Sequence, residues 1–197
     1  SYSERRGGLC RVLDAIPDDA LKGGYFAPDY DAQAEFDSWL LDARTREGQQ
    51  VAHFCRTVAG PSEKPVAADD IVLFIDEFVG HIIATYQVTA PADGAKLVLL
   101  VQRALFPRIY EAALRLAPAP PLRARDLPLL ARLERLREER HPGIQIDDVF
   151  WAGTVDPLVD AEKILAYLPF QLAPPDMIYV LQKTVAAICQ VGKGVLH

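Results

Sequence analysis

Three observations predict an all-α fold. Apolar residues recur in steps of three and four through most of the 197 residues. The one run that alternates like a strand, Ile144 to Trp151, has no second run to pair with, and a lone strand leaves its backbone polar groups unsatisfied. Proline and glycine clusters fall between the periodic stretches, where turns belong. The expected architecture is a helical bundle followed by the first helices of a second, packed helical layer. Its expected divisions are 1–29, an N-terminal segment without assignable chemistry; 30–91, part of the bundle; and 92–197, the start of the second layer.

In the first segment Gly7-Gly8, Pro17, Gly23-Gly24 and Pro28 predict turns, with one short helix around Leu9 to Ile16. From Asp31 to Val58, the residues Phe36, Trp39, Leu40, Ala43, Val51, Phe54 and Val58 trace the stripe of one amphipathic helix, weakened in its middle by Gly48. The loop beginning Gly60-Pro61 ends it. Asp69 or Asp70 is expected to cap the next helix, whose stripe is Ile71, Phe74, Ile75, Phe78, Ile82 and Tyr86. That helix is apolar almost all round and should therefore be central, with neighbours on more than one face.

Pro91 and Gly94 predict a turn and Asp93 a cap, before a helix from Lys96 to Leu116 that buries Leu97, Leu100, Val101, Ala104, Leu105, Ile109, Ala112 and Leu116. Pro107 inside it removes a backbone hydrogen bond and should kink it. After the stiff connector Pro118-Ala-Pro-Pro, Leu129, Leu133 and Leu136 face inward on a short helix that His141-Pro-Gly ends. Ile144 to Trp151 is an ordered extended segment or short helix. Pro157 opens a helix with Leu158, Ala161, Ile164, Leu165 and Leu168, and Pro174-Pro175 opens a last one with Met177, Leu181, Thr184, Val185 and Ile188 inward.

Half of the residues are hydrophobic and a quarter charged, which is enough for a substantial core. A net charge of −6 argues against nucleic acid as a partner, because neutralising phosphates requires a concentrated basic face. The Arg-rich stretch Arg123 to Arg140 has Asp126, Glu134, Glu138 and Glu139 interleaved, the habit of a solvated helix face. Cys10, Cys55 and Cys189 are odd in number and widely spaced, which fits reduced thiols and a cytoplasmic location. The polar start is no signal peptide, and the most apolar run, Leu97 to Phe106, is shorter than the roughly 20 residues a bilayer requires.

No catalytic, cofactor or metal constellation emerges. His53 and Cys55, two residues apart on a helix, point different ways and cannot together hold a metal ion. His81, His141 and His197 have no partner at ligand spacing. The doublets Asp69-Asp70, Asp76-Glu77 and Asp147-Asp148 suit helix starts and solvated faces better than paired-carboxylate catalysis. Gly192-Lys-Gly lacks the upstream glycine and following hydroxyl of a phosphate loop and is expected to be a helix-end turn. Phe150 and Trp151, two large aromatics in a loop, are either core plugs or anchors for a protein partner.

The order of elements resembles the vacuolar-protein-sorting-nine domain family, Rabex-like guanine nucleotide exchange factors for early-endosomal Rab GTPases of the Rab-five branch. Leu105-Phe-Pro-Arg-Ile-Tyr is similar to the Leu-Tyr/Phe-Pro-x-Val/Leu-Phe ending of a family helix. Leu127 to Leu136 followed by Gln145-Ile146 resembles the next helix and a short extended piece. Pro174-Pro-Asp-Met-Ile-Tyr-Val-Leu-Gln-Lys-Thr-Val-Ala-Ala-Ile is similar to the family's Pro-x-x-Lys/Met-Leu-x-x-Ile/Leu helix, with Met177 where many members carry Lys. The aromatic-Pro-x-x-Ala segment is echoed loosely by Phe150, Trp151 and Pro157. The match spans about 31–191.

In the family, the Asp-Asp-Leu/Phe-Leu-Pro helix and a later Tyr-containing helix that expel nucleotide come after the point corresponding to Val191. The resemblance thus implies the scaffold half of an exchange factor, acting in vesicle trafficking. It implies a Rab GTPase as partner, peripheral association with endosomes, no cofactor, and no catalytic residue within this sequence. The alternative is a non-catalytic helical adaptor or scaffold subunit of a membrane-traffic complex.

Overall fold

The computed structural model describes residues 1–60, 66–116, 131 and 159–194. Among them the backbone forms seven α-helices and no strand, as the periodicity predicts. Two compact units are present: Ser1–Leu116 with Leu172–Pro175, and Ala117–Gln171 with Asp176–His197. The divisions expected at 29/30 and 91/92 both fall within the first unit.

The first unit contains α1 (Tyr2–Ala15), α2 (Tyr30–Leu40), α3 (Arg46–Ala59), α4 (Ala68–Tyr86) and α5 (Pro91–Leu116). At its centre is α5, which packs against α1, α2, α3 and α4. Leu97, Leu100, Val101, Ala104, Leu105 and Ile109 are buried on it, and so are Lys96 and Arg103 on its other sides. The expectation that the helix of Ile71 to Tyr86 is central is thereby corrected. One stripe of α4, including Ile75, Phe78 and Ile82, faces inward while Val72 and Leu73 stay exposed, so its roundabout apolarity reflects two uncovered residues rather than burial on all sides.

Three further expectations are corrected. The N-terminal helix begins at Tyr2 rather than near Leu9, and Leu9, Val12 and Leu13 enter the main core. Its double glycine is tolerated because Gly8 faces Trp39, where a Cβ would stand 3.3 Å from the indole. The helix expected over 31–58 is two helices. Asp29 caps α2 by accepting from the amides of Asp31 and Ala32, and Thr45 caps α3 by accepting from that of Gly48. The break lies at 41–45, and Gly48 is part of its cause: a Cβ there would lie 2.2 Å from the Asp42 carbonyl oxygen. Finally, Pro91 and Gly94 are inside α5, where Pro91 occupies the first helical position that lacks a backbone partner in any case.

Asp70 serves the start of α4 from within the helix, its carboxylate accepting from the Ala67 amide at 2.8 Å. Pro107 is accommodated inside α5, which continues to Leu116.

The second unit contains α6 (Val159–Leu165), a 3-10 turn at Leu168–Phe170, and all but the first two residues of α7 (Pro174–Gly194). Ala161 is buried on α6, while Leu165 is exposed. Gly192-Lys-Gly continues α7 and does not turn the chain. The short helix expected from Leu129 to Leu136, apart from the helical Ala131, the piece Ile144 to Trp151, Asp147-Asp148, Pro157, Leu158, His141 and His197 lie outside the described residues.

Candidate functional site

The first unit buries three clusters of charged or polar side chains, and each is committed to holding helices together. In the largest, Arg5 of α1 donates to Glu47 Oε2 (3.2 Å), to the Trp39 carbonyl (3.2 Å) and to the Tyr86 hydroxyl (3.1 Å). The Tyr86 hydroxyl in turn donates to Glu47 Oε1 at 3.0 Å, and the Trp39 indole donates to the Arg5 carbonyl at 2.9 Å. The Arg5 guanidinium lies 4.5 Å above the Trp39 ring, and Tyr2 stacks on Tyr86. Burial pushes the Tyr86 phenol up, with Arg5 opposing and Glu47 adding to the rise, so it stays protonated and makes a poor nucleophile. Four helices meet at this one network.

Lys96 on α5 is a second cluster. Its ammonium donates to the Leu13 carbonyl and to Asp93 at 3.1 Å each, and pairs with Asp18 at 2.6 Å, so three donors meet three acceptors. Burial alone would pull its pKa down, but the two carboxylates outweigh it and hold Lys96 above the ordinary lysine value. A lysine kept charged in this way supplies no amine for covalent catalysis. In the third cluster, Arg103 donates to the Phe26 carbonyl at 2.6 Å, with its guanidinium over the Phe26 ring.

His53 is exposed and Cys55 half-buried on α3, and burial pushes the Cys55 thiol up against the pull of Arg108. A protonated thiol is neither a ready nucleophile nor a metal ligand. Among the described residues no group of three His, Cys, Asp or Glu side chains could hold a metal ion.

Among the described residues, one face of α7 leaves large aliphatic side chains exposed. Of the residues expected inward, Met177, Leu181, Thr184, Val185 and Ile188, the structure buries Thr184 and corrects the placing of Leu181, Val185 and Ile188. Asp176, Val180 and Thr184 are the buried residues, Met177 is half-buried, and Leu181, Val185 and Ile188 are exposed at 45, 58 and 46 %. With about 100° of rotation per residue, Ile178, Leu181, Val185 and Ile188 form one ridge roughly a third of a turn from the buried line. The buried line contains a threonine whose hydroxyl satisfies itself on the Val180 carbonyl at 2.9 Å. Helical period alone finds both lines, and only packing decides which is covered. Tyr167 and Phe170, exposed at 64 and 78 %, add further uncovered aromatic surface in the same unit. Phe150 and Trp151, the contact residues expected from sequence, lie outside the described residues.

No helix of the described residues is long and apolar enough to cross a membrane. No protein-family model, no curated protein and no solved structure matches this chain.

Proposed function

We propose that this chain works by protein–protein contact, as the scaffold part of a guanine nucleotide exchange factor for early-endosomal Rab GTPases. The observation that carries the contact reading is the ridge Ile178, Leu181, Val185, Ile188: four large aliphatic side chains left in water along some three turns of one helix. An aliphatic side chain fully removed from water contributes about 1.5–3 kcal/mol, so a ridge of this size is a substantial driving force for association. Support for a Rab-class partner comes from the sequence resemblance, whose most extended segment, Pro174 to Ile188, is the segment that carries the ridge. Nucleotide exchange needs a surface that holds the GTPase switch segments apart and an acid aimed at the phosphate-binding lysine or the magnesium ion. The buried carboxylate of Glu47 is spent on Arg5 and Tyr86, so the scaffold role fits it better than the catalytic one.

The same commitment of buried charge favours a second reading, a non-catalytic adaptor of a membrane-traffic complex. Release of a fluorescent guanine nucleotide from a panel of Rab GTPases separates the two. It is measured with this chain and with the longest natural chain that contains it. Acceleration by the longer chain supports the exchange-factor reading, and acceleration by neither leaves the adaptor.

A further inference from the structure

An open groove runs along α3 in the first unit. Two adjoining cavities of about 420 and 280 Å³ share Ala59 and Arg108 in their walls. From α3 the groove takes Gly48, Val51, Ala52, Cys55, Arg56 and Ala59, spaced i, i+3, i+4, i+7, i+8, i+11, which is one continuous helix face. Gly48, lying against the Asp42 carbonyl, and Val51 are its buried floor, so the part open to solvent runs from Ala52 to Ala59, about 10 Å or two turns at 1.5 Å per residue. Ala52, Cys55 and Ala59 are small, so this face is a trough rather than a ridge. Leu41 and Ala43 close one end, and α5 supplies the opposite wall with Arg108.

The charges single out the ligand. Arg56 and Arg108 are both exposed, and neither guanidinium has an ion-pair or hydrogen-bond partner among the described residues. Asp37, the acid whose carboxylate feels Arg108, is turned instead to the Gln33 amide at 2.7 Å. In a chain of net charge −6, two uncommitted guanidinium groups beside an apolar trough form a local field of opposite sign. Glu111 lines the far cavity, so negative charge on a ligand belongs at the Arg56–Arg108 stretch.

We propose that this groove receives an acidic amphipathic helix from a partner protein. Apolar side chains of that helix at i, i+3 or i+4, and i+7 fill the trough, and carboxylates beside them pair with Arg56 and Arg108. The two adjoining cavities together select a helix over a small carboxylate, which would occupy one and leave the other wet. The groove belongs to the first unit and does not rest on the α7 ridge, so it stands or falls separately from the function proposed above.

The test uses the full 197-residue chain and synthetic helical peptides of about 15 residues. These share one leucine face and differ only in carrying Glu, Gln or Lys beside it. Binding is followed by fluorescence anisotropy and by backbone amide NMR shifts. The Glu peptide is expected to bind about tenfold or more tighter than the Gln peptide, less so at high salt, with shifts confined to α3 and residues 107–112. Arg56→Glu with Arg108→Glu should reverse the order in favour of the Lys peptide. Ala52→Trp, which fills the trough, should abolish binding of all three, while circular dichroism shows each variant still folded. Failure of the Glu peptide to bind, an order untouched by the charge reversal, or shifts elsewhere would overturn the proposal. So would octanoate moving those amides while no peptide does, which would make the occupant a small carboxylate.

Discussion

Glycine 48 shows most directly how a single residue sets this fold. The Asp42 carbonyl oxygen approaches within 2.2 Å of the place a Cβ would take, so Gly48→Ala must push the corner between α2 and α3 apart. We predict a loss of about 1–3 kcal/mol in urea unfolding, the usual cost of overpacking. Gly80, in the exposed interior of α4, has nothing within 4 Å of its Cβ position. There the same substitution should instead stabilise, by about 0.5–1 kcal/mol, because alanine favours the helix and restricts the unfolded chain. Both glycines look alike in sequence, and a carbonyl three-dimensionally near one of them gives the substitutions opposite signs.

The Arg5–Glu47–Tyr86 network makes a second prediction at the same scale. Arg5→Ala strands the Glu47 carboxylate, which is 5 % exposed, and should cost about 3 kcal/mol or more. Tyr86→Phe removes one hydroxyl and should cost nearer 1 kcal/mol. Arg5→Met combined with Glu47→Leu should recover most of the loss, since neither charge is then left unpaired. A double-mutant cycle measured by urea unfolding checks this, and a double variant as unstable as Arg5→Ala alone would contradict it.

Lys96 provides the pH dependence. Its folded pKa is raised above the unfolded value of 10.5, so the folded chain holds that proton more tightly. The associated stabilisation is complete below pH 10.5 and is lost as pH rises through the folded pKa. The difference in unfolding free energy between the native chain and Lys96→Met should therefore be flat near neutrality and shrink above that value. A difference that stays constant into strong alkali would rule out the assignment.

At the scale of elements, α5 and α7 mark what was legible in the sequence and what was not. The buried stripe of α5, Leu97 through Ile109, was legible because its apolar residues recur closely at helical spacing, although Leu99, off that stripe, is buried as well. Its centrality was not, since Lys96 and Arg103 look like surface residues until Asp18, Asp93 and the Phe26 carbonyl are seen to meet them. The break between α2 and α3 left a trace in the sequence, since no apolar side chain falls between Ala43 and Val51. But Ala43 and Val51 are two turns apart and so stay in register with one helix, and Thr45 and Asp42 signal a cap only once the chain is known to turn there.

On α7 helical spacing offers two neighbouring stripes, and the inward set it predicts, Met177, Leu181, Thr184, Val185 and Ile188, mixes Thr184 of the buried line with three residues of the exposed ridge. The ridge's exposure is the structural fact on which the proposed function depends, and it was out of reach of periodicity. Leu181→Glu with Val185→Glu should accordingly leave the helical circular dichroism and the unfolding midpoint nearly unchanged, because surface substitutions usually shift stability by no more than about 0.5 kcal/mol. A collapse of the fold on that double substitution would place the ridge in a core after all.

Among the described residues, the buried charges Glu47 and Lys96 of the first unit, with Arg5, hold that unit's own elements together, while the aliphatic ridge of α7 and the arginine-flanked groove of α3 face solvent. On the proposed reading both surfaces receive another protein. The measurement that bears most directly on this is binding of the chain to a panel of Rab GTPases, each nucleotide-free and loaded with GDP or GTP. Binding is followed by interferometry for the native chain and for Leu181→Glu/Val185→Glu. The account predicts that a member of the Rab-five branch is captured by the native chain and lost by the folded double variant. No capture of any Rab GTPase, or capture undiminished by charges on the ridge, would contradict it.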